Sequence, residues 1–119
     1  MDPHLITSGA AAFGTLASLA LAIVVTRRFV AGRAPRFRFA EILVWITLAI
    51  GFLLAWFPGF LFGGHFGGAV MAALAGLVGL PPAIPVALGI AVGVTVALTA
   101  LALILPLLAA YMLLRDRAA

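Results

Sequence analysis

Residues 26–38 read TRRFVAGRAPRFR and hold most of the chain's seven basic residues, between two long apolar runs. The chain has no lysine, and its remaining arginines, Arg115 and Arg117, lie close to its C-terminal end. Basic residues that flank membrane spans stay on the cytoplasmic side, so their positions predict topology. The basic residues of the stretch are Arg27, Arg28, Arg33, Arg36 and Arg38. We therefore interpret residues 26–38 as a basic cytoplasmic loop between two spans.

The composition on either side of this loop predicts an all-α integral membrane protein. The chain has 119 residues, of which 66% are hydrophobic and 8% charged. A soluble domain carries roughly 25% charged residues. Residues 1–119 are therefore expected to form a single membrane domain. The net charge of +4 is local to the membrane flanks, so it does not indicate a nucleic-acid partner, and the lack of cysteine excludes disulfides and thiolate metal sites.

Three apolar runs are predicted to cross the membrane, at about residues 5–25, 40–57 and 86–114. The first contains no charged residue and is long enough to cover the roughly 30 Å of hydrocarbon. The third would measure about 43 Å if straight, so it must tilt, kink or protrude. Pro106 is its predicted kink.

The segment between the second and third spans is expected to be irregular. Phe57-Pro58-Gly59 is predicted to end or sharply kink the second helix. Residues 69–80 are predicted to form a short helix, which at roughly 18 Å cannot cross the bilayer. Such a helix would be interfacial or re-entrant. A backbone that enters the bilayer without crossing it must be covered by protein or reached by water.

Three spans place both groups of arginines on one side of the membrane, whereas four spans would separate them. The charge rule therefore predicts an outside N-terminus and a cytoplasmic C-terminus. The first residues lack the positive charge of a signal peptide, so the first apolar run is expected to be a retained span. Abundant alanine, glycine and arginine without lysine suggests a high-GC genome and a bacterial cytoplasmic membrane.

Two stripes of small residues predict close helix contacts. Small residues recur every fourth position in the first run, including Gly14 and Ser18. Gly89, Gly93 and Ala97 form a similar stripe in the last run. Small residues allow membrane helices to approach closely, either within this chain or with a partner.

The alternation Arg36-Phe37-Arg38-Phe39 suggests a site for an anionic lipid headgroup, to which all five loop arginines would contribute. Guanidinium groups bind phosphate in a forked geometry, while the rings lie among acyl chains, as for a polyprenyl phosphate or an anionic phospholipid. The simpler alternative is that these arginines only fix topology and extend to the headgroups. Glu41 lies in the first turn of the second span. Its carboxylate is expected to be stabilised by the helix N-terminus and to pair with Arg38.

His65 is the weakest of the candidate ligands. Its glycine neighbours would let a flat pigment or haem approach, but the simpler alternative is a histidine in an interfacial loop. His4 is the only histidine that could join it as a ligand, and no catalytic pair lies inside a span. The sequence therefore predicts no metal, no cofactor and no enzyme activity.

The order of these parts resembles small bacterial membrane proteins of unknown function that accompany polyprenyl-phosphate glycosyltransferases. The resemblance covers roughly residues 5–105 and consists of a first span, a basic loop, a second span with tryptophan and further apolar helix. The motifs that carry it are Arg27-Arg28, Gly32-Arg33, Trp45, Phe57-Pro58-Gly59 and Gly79-Leu80-Pro81.

The leading hypothesis is thus a non-catalytic accessory subunit that packs against a larger integral membrane protein and contacts membrane lipid. The resemblance implies that this partner is a lipid-linked-sugar glycosyltransferase. Two alternatives stay open from the sequence: an accessory subunit of a respiratory or photosynthetic complex, and a small homo-oligomeric channel or transporter. The channel is disfavoured because no polar stripe runs through the spans.

Overall fold

The computed structural model describes residues 3–116, and nearly all of them are helical. The elements are α1 (Pro3–Ala31), β1 (Arg33–Pro35), α2 (Ala40–Pro58), a π-helical turn (Gly59–Gly63), α3 (Gly64–Val78), α4 (Ala83–Leu113) and β2 (Leu114–Asp116). The second helix, the π turn and the third helix are continuous, so the described chain has three helices long and apolar enough to cross a membrane. This confirms the predicted all-helical class with three long apolar helices that could span a membrane.

Helix α4 lies at the centre, and the other two long helices pack against it. Gly14 of α1 contacts α4 beside Ala91, and the two helices run parallel, since their C-terminal ends meet in a short ladder between β1 and β2. The α2–α3 rod is antiparallel to α4, because Gly51 contacts Ala102 whereas Gly67 contacts Gly89. The result is an elongated bundle of 57 × 23 × 18 Å.

The two predicted stripes of small residues are used inside the chain. A Cβ on Gly14 would lie 2.8 Å from the carbonyl oxygen of Ala91. Ser18 is fully buried, and its hydroxyl donates a hydrogen bond to the carbonyl of Thr15 at 2.8 Å. Close backbone approach gives membrane helices their contact energy, since lipid is as apolar as the side chains.

The α4 stripe faces the long α2–α3 rod rather than the outside of the bundle. The backbone of Gly93 contacts that of Gly63, and the backbone of Gly89 contacts that of Gly67. The Cβ of Ala97 lies 2.8 Å from the position that a Cβ on Gly63 would take. These three α4 residues therefore hold α4 against the rod inside this chain.

The prediction that the second helix ends or kinks sharply at Phe57-Pro58-Gly59 is wrong. Pro58 lies inside the helix, and the N–H of Gly59 bonds the carbonyls of Ala55 and Trp56, so the helical ladder resumes one residue after the proline. A straight helix of 39 residues would measure about 58 Å, and the longest dimension of the molecule is 57 Å. A rod of this length matches the long axis of the molecule.

The π turn explains how such a long rod keeps one face on α4. Small residues occupy every fourth position of the contact: Gly51, Ala55, Gly59, Gly63 and Gly67. In a pure α-helix such positions rotate by about 40° per step, or about 160° over the stretch, and would leave the contact. A π turn holds roughly one extra residue, which reverses about 100° of that rotation. The last two glycines are thereby returned to α4.

A separate short helix over residues 69–80 is not present, because this segment continues the long rod as α3. The helix ends at Val78, where Gly79 adopts a left-handed φ of 75°. The N–H groups of Gly79 and Leu80 both bond the carbonyl of Ala75, which closes the helix end. The predicted stop near residue 80 was therefore sound, but the predicted break before it was not.

The remaining boundaries differ modestly from those expected. Helix α1 continues to Ala31, so the first part of the predicted loop 26–38 is helical. Helix α4 begins at Ala83, ends at Leu113 and continues through a buried Pro106. A proline removes one backbone hydrogen bond of a helix, yet Pro106 lies buried inside α4 without ending it.

Candidate functional site

The basic residues gather at one end of the bundle, where two three-residue strands join the loop after α1 to the chain that follows α4. The strands are antiparallel, and Arg33, Ala34 and Pro35 face Asp116, Arg115 and Leu114 in that order. We call this part of the molecule, residues 27–41 with 114–116, the arginine end. The ladder brings the two groups of basic residues, far apart in sequence, into one site.

Arg36 fastens the two segments together. Its backbone N–H bonds the carbonyl of Leu113 at 3.0 Å, and its Nε donates to the carbonyl of Leu114 at 3.2 Å. These bonds satisfy carbonyl groups at the end of α4, where the helix dipole also favours a cation. Arg36 therefore stabilises the fold, and its Nε is not available to a ligand.

A small apolar core lies beneath the arginine end, inside the bundle. Its buried members come from α1, α2, α4 and β2 and are Val30, Ala40, Val44, Ala110 and Leu114. Leu114 is one of the largest fully buried side chains in the described chain. This core fixes the start of α2 against the end of α4, and with them the loop that carries the arginines.

Aromatic rings hold two of the predicted headgroup arginines. The guanidinium of Arg33 lies 4.2 Å from the ring centre of Phe29, and that of Arg38 lies 5.3 Å from the ring centre of Phe39. Each such contact stabilises the protein by about 0.5–1 kcal/mol at an exposed site. These two rings limit the positions that the guanidinium groups of Arg33 and Arg38 can take.

The structure places the other predicted arginines on a different element from the one expected. Arg27 and Arg28 lie in the last turns of α1, both exposed, and not in a loop. Arg115 was missed as a site residue. Its β2 position faces Ala34, and only the charge pattern could have indicated that it shares this end. Arg117 lies outside the described residues.

Glu41 is exposed in the first turn of α2, as expected from its position. The expected ion pair with Arg38 is not formed within residues 3–116, since Arg38 lies over Phe39 instead. The carboxylate is therefore exposed at the arginine end without an ion pair to Arg38. It gives the arginine end a negative group as well as several positive ones.

His65 is an exposed residue in the first turn of α3, and not in a loop as the simpler interpretation held. No group of three histidine, cysteine or acidic residues that could hold a metal ion occurs within the described part of the chain.

Two grooves run between α1 and α2, which both pack on α4 but contact each other little. The proximal groove, nearer the arginine end, has a volume of about 430 Å³ and is lined by Leu19, Ile23, Trp45, Leu48, Ala49, Phe52 and Leu53. The distal groove has about 530 Å³ and carries hydroxyl groups from Thr7, Ser8 and Thr15. Trp56 donates from Nε1 to the Thr15 hydroxyl at 3.4 Å and so crosses the space between the helices.

A third groove lies on the opposite flank, between α3 and α4. It has a volume of about 350 Å³, and only apolar side chains and glycines line it. Its floor consists of Gly67, Gly89 and Gly93, and exposed Phe66 forms one wall. We call it the α3–α4 groove. A narrow apolar trough with a glycine floor fits an acyl chain or a transmembrane helix.

Taken together, the described residues offer guanidinium groups for anionic oxygen at one end and apolar grooves along the flanks. No protein-family model, curated protein or solved structure matches this chain.

Proposed function

We propose that this protein is a non-catalytic accessory subunit of a bacterial cytoplasmic membrane, and that a helix of a larger integral membrane protein lies in its α3–α4 groove. The supporting observation is the groove itself, with its glycine floor and its walls of exposed apolar side chains. Membrane helices associate through surfaces on which small residues allow close approach. Gly89 and Gly93 of the predicted α4 stripe hold α4 against the rod and also form the floor of this groove, where a partner helix could approach closely.

The length of the α2–α3 rod supports the same proposal. Its 39 residues correspond to about 58 Å, whereas a bilayer with its headgroups is about 40–45 Å thick. No charged residue lies between Glu41 and Arg115, so the overhanging part of α3 is apolar. Leu77, near its tip, is 82% exposed. A partner that covers this tip would keep it from water, and a tilt of the whole bundle would shorten the overhang.

In this proposal the arginine end faces the cytoplasm and the N-terminus faces outwards. Basic residues that flank spans are retained inside, and the structure gathers those of α1, the loop and β2 at one end. Exposed arginines at that surface would contact anionic headgroups, each contributing about 1 kcal/mol near the membrane. This contact would hold the subunit at a fixed depth against its partner.

The resemblance noted in the sequence makes a lipid-linked-sugar glycosyltransferase the class of partner to test first. Such an enzyme works on a lipid phosphate at the membrane surface, where the arginine end would lie. The catalytic groups would belong to the partner.

Site-specific photocrosslinking in the native host tests the proposal. A photoreactive phenylalanine analogue at Phe66 would lie on the wall of the α3–α4 groove, and one at Phe57, which is 63% exposed, lies outside it. We expect position 66, and not position 57, to capture a polytopic membrane protein, which mass spectrometry would identify. A glycosyltransferase would support the partner class.

A groove-filling substitution provides the second arm. Val96→Trp should abolish capture at position 66, whereas Val24→Trp, on an exposed face of α1, should not. Crosslinks from position 66 only to a second copy of this chain, or only to lipid, would overturn the accessory-subunit proposal.

A further inference from the structure

The proximal groove between α1 and α2 has the shape of a binding site for one lipid chain. Its lining is almost entirely apolar, with Leu19 and Ile23 on the α1 side and Trp45 and Phe52 on the α2 side. Both helices are held on α4 rather than on each other, so the groove does not depend on a partner protein. It is also separate from the α3–α4 groove on the other flank.

The stretch of α1 that carries this groove, between the Trp56–Thr15 bond and Arg27, matches one leaflet of a bilayer in length. The hydrogen bond from Trp56 Nε1 to the Thr15 hydroxyl, 3.4 Å long, crosses between the helices at its distal end. From Thr15 to Arg27, at its open end, α1 rises about 18 Å. One leaflet contributes about half of the roughly 30 Å hydrocarbon thickness. A phospholipid chain from the arginine-side leaflet would thus fill the groove and stop at the tryptophan.

Two opposite charges stand at the open end. On α1, Leu19, Ile23 and Arg27 follow each other at four-residue spacing, which puts the guanidinium on the face that lines the groove. On α2, Glu41 precedes Trp45 by the same spacing. Both charged residues are exposed, and neither forms an ion pair with another residue in the range 3–116.

We propose that this groove binds one phosphatidylethanolamine-type phospholipid, with an acyl chain along Trp45, the phosphate at Arg27 and the ammonium group at Glu41. The paired charges carry the choice of headgroup. A site for phosphate alone would consist of arginines only. Here the carboxylate of Glu41 would repel a lipid whose headgroup carries a net negative charge. A choline headgroup has no N–H group and cannot donate a hydrogen bond to Glu41. The ammonium group of ethanolamine has three N–H donors and can. The site rests on the membrane location of the protein and not on the proposed partner.

Native mass spectrometry of the full chain in mild detergent tests this site. The probes are dioleoyl phosphatidylethanolamine, phosphatidylcholine and phosphatidylglycerol, added at equal concentration. We expect a single tightly retained lipid, with the ethanolamine form favoured about tenfold, the ratio for one charge-assisted hydrogen bond. A wild-type preference for phosphatidylglycerol, or no preference among the three, would overturn the proposal.

Matched variants test the part of the site that binds the acyl chain separately from the part that binds the headgroup. Ala49→Phe should fill the groove and remove the retained lipid, whereas Ala100→Phe, on an exposed face of α4 outside the grooves, should not. If Ala49→Phe loses its helical circular dichroism, Ala49→Leu serves as the smaller obstruction. Equal lipid retention in Ala49→Phe and Ala100→Phe would contradict the binding of an acyl chain in this groove.

The headgroup variants make distinct predictions. Glu41→Gln should equalise the ethanolamine and choline lipids, and Arg27→Gln should weaken both. Arg28→Gln, one residue further along α1 and so about 100° around the helix, should leave the preference unchanged. An identical loss in the Arg27 and Arg28 variants would indicate non-specific charge attraction and reject the site. Capture of a partner at position 66 is a separate measurement, so either proposal can fail alone.

Discussion

The backbones of Gly67 and Gly89 are in direct contact, so a methyl group on either residue would overlap the carbonyl oxygen of the other. The same reciprocal relation joins Gly63 and Gly93 one turn away. Neither side of the α3–α4 contact can therefore accept a side chain. The glycines are required by close approach of two helices, and not by an unusual backbone conformation.

Gly89→Ala should lower the free energy of unfolding by about 1–3 kcal/mol, because the added methyl must push two backbones apart. Gly76→Ala, in α3 where nothing lies within 4 Å, is the matched control. There the alanine should be neutral or stabilising by about 0.5–1 kcal/mol through helix propensity. Unfolding of the variants in mixed micelles, followed by circular dichroism, measures both. Equal effects at the two positions would contradict the close contact.

The continuity of the long rod can be measured as a distance. Spin labels at Ile46 and Leu77, both exposed, are separated by about 46 Å along a continuous helix. Pulsed electron paramagnetic resonance in nanodiscs should report a narrow distribution near that value. A much shorter or bimodal distance would show that the helix breaks at Pro58. Labels at Leu88 and Leu108, within the single helix α4, provide the reference for an unbroken segment, about 30 Å apart.

The hydroxyl of Thr26 is buried without a hydrogen-bond partner among the described residues. Burial of an unsatisfied hydroxyl costs about 1–3 kcal/mol, so Thr26→Val should be neutral or should raise the free energy of unfolding by about 1 kcal/mol. Thr47 is the control, because its hydroxyl donates to the carbonyl of Val44 at 2.7 Å. Thr47→Val should show no such gain. A loss of stability in Thr26→Val would mean that this hydroxyl is bonded.

Arg36→Gln should loosen the ladder at the arginine end. The variant removes the Nε donor to the Leu114 carbonyl, and one hydrogen bond of a charged group is equivalent to about tenfold in an equilibrium. Hydrogen exchange at the amides of Ala34 and Arg115 should therefore accelerate by about that factor. Arg38→Gln, whose side chain lies over Phe39, should leave those amides unchanged. If both variants exchange alike, Arg36 does not hold the two strands together.

The sequence predicted the long helices wherever a single local signal sufficed. The uncharged runs next to the arginines predicted α1 and α4. Gly79 and the prolines after it predicted the end of α3. The break expected at Pro58 was wrong because proline and glycine are local signals, whereas the helix is sustained by packing on α4. The glycines around His65 predicted an irregular segment, although Gly63 and Gly67, four residues apart, lie in a helix contact.

The arginine end was predictable in part. An odd number of spans places both basic groups on one side, and the structure brings them to the same end. Neither the ladder nor the position of Arg115 was predictable, because Leu114–Asp116 is a strand of three residues without a recognisable strand pattern. Its pairing depends on a partner strand that is 78 or more residues away in the chain, as the bond from Arg36 to Leu114 illustrates.

The π turn also determines where this chain can change its length. Removing one residue from Gly59–Gly63, for example Phe62, would convert the wide turn to an ordinary α turn and leave every residue beyond it pointing as before. The same deletion at Ile50 or Val70 would rotate all residues that follow, up to the end of the rod, by about 100° and take them off α4. Relatives of this protein that are one residue shorter in the second helix should therefore have lost that residue here.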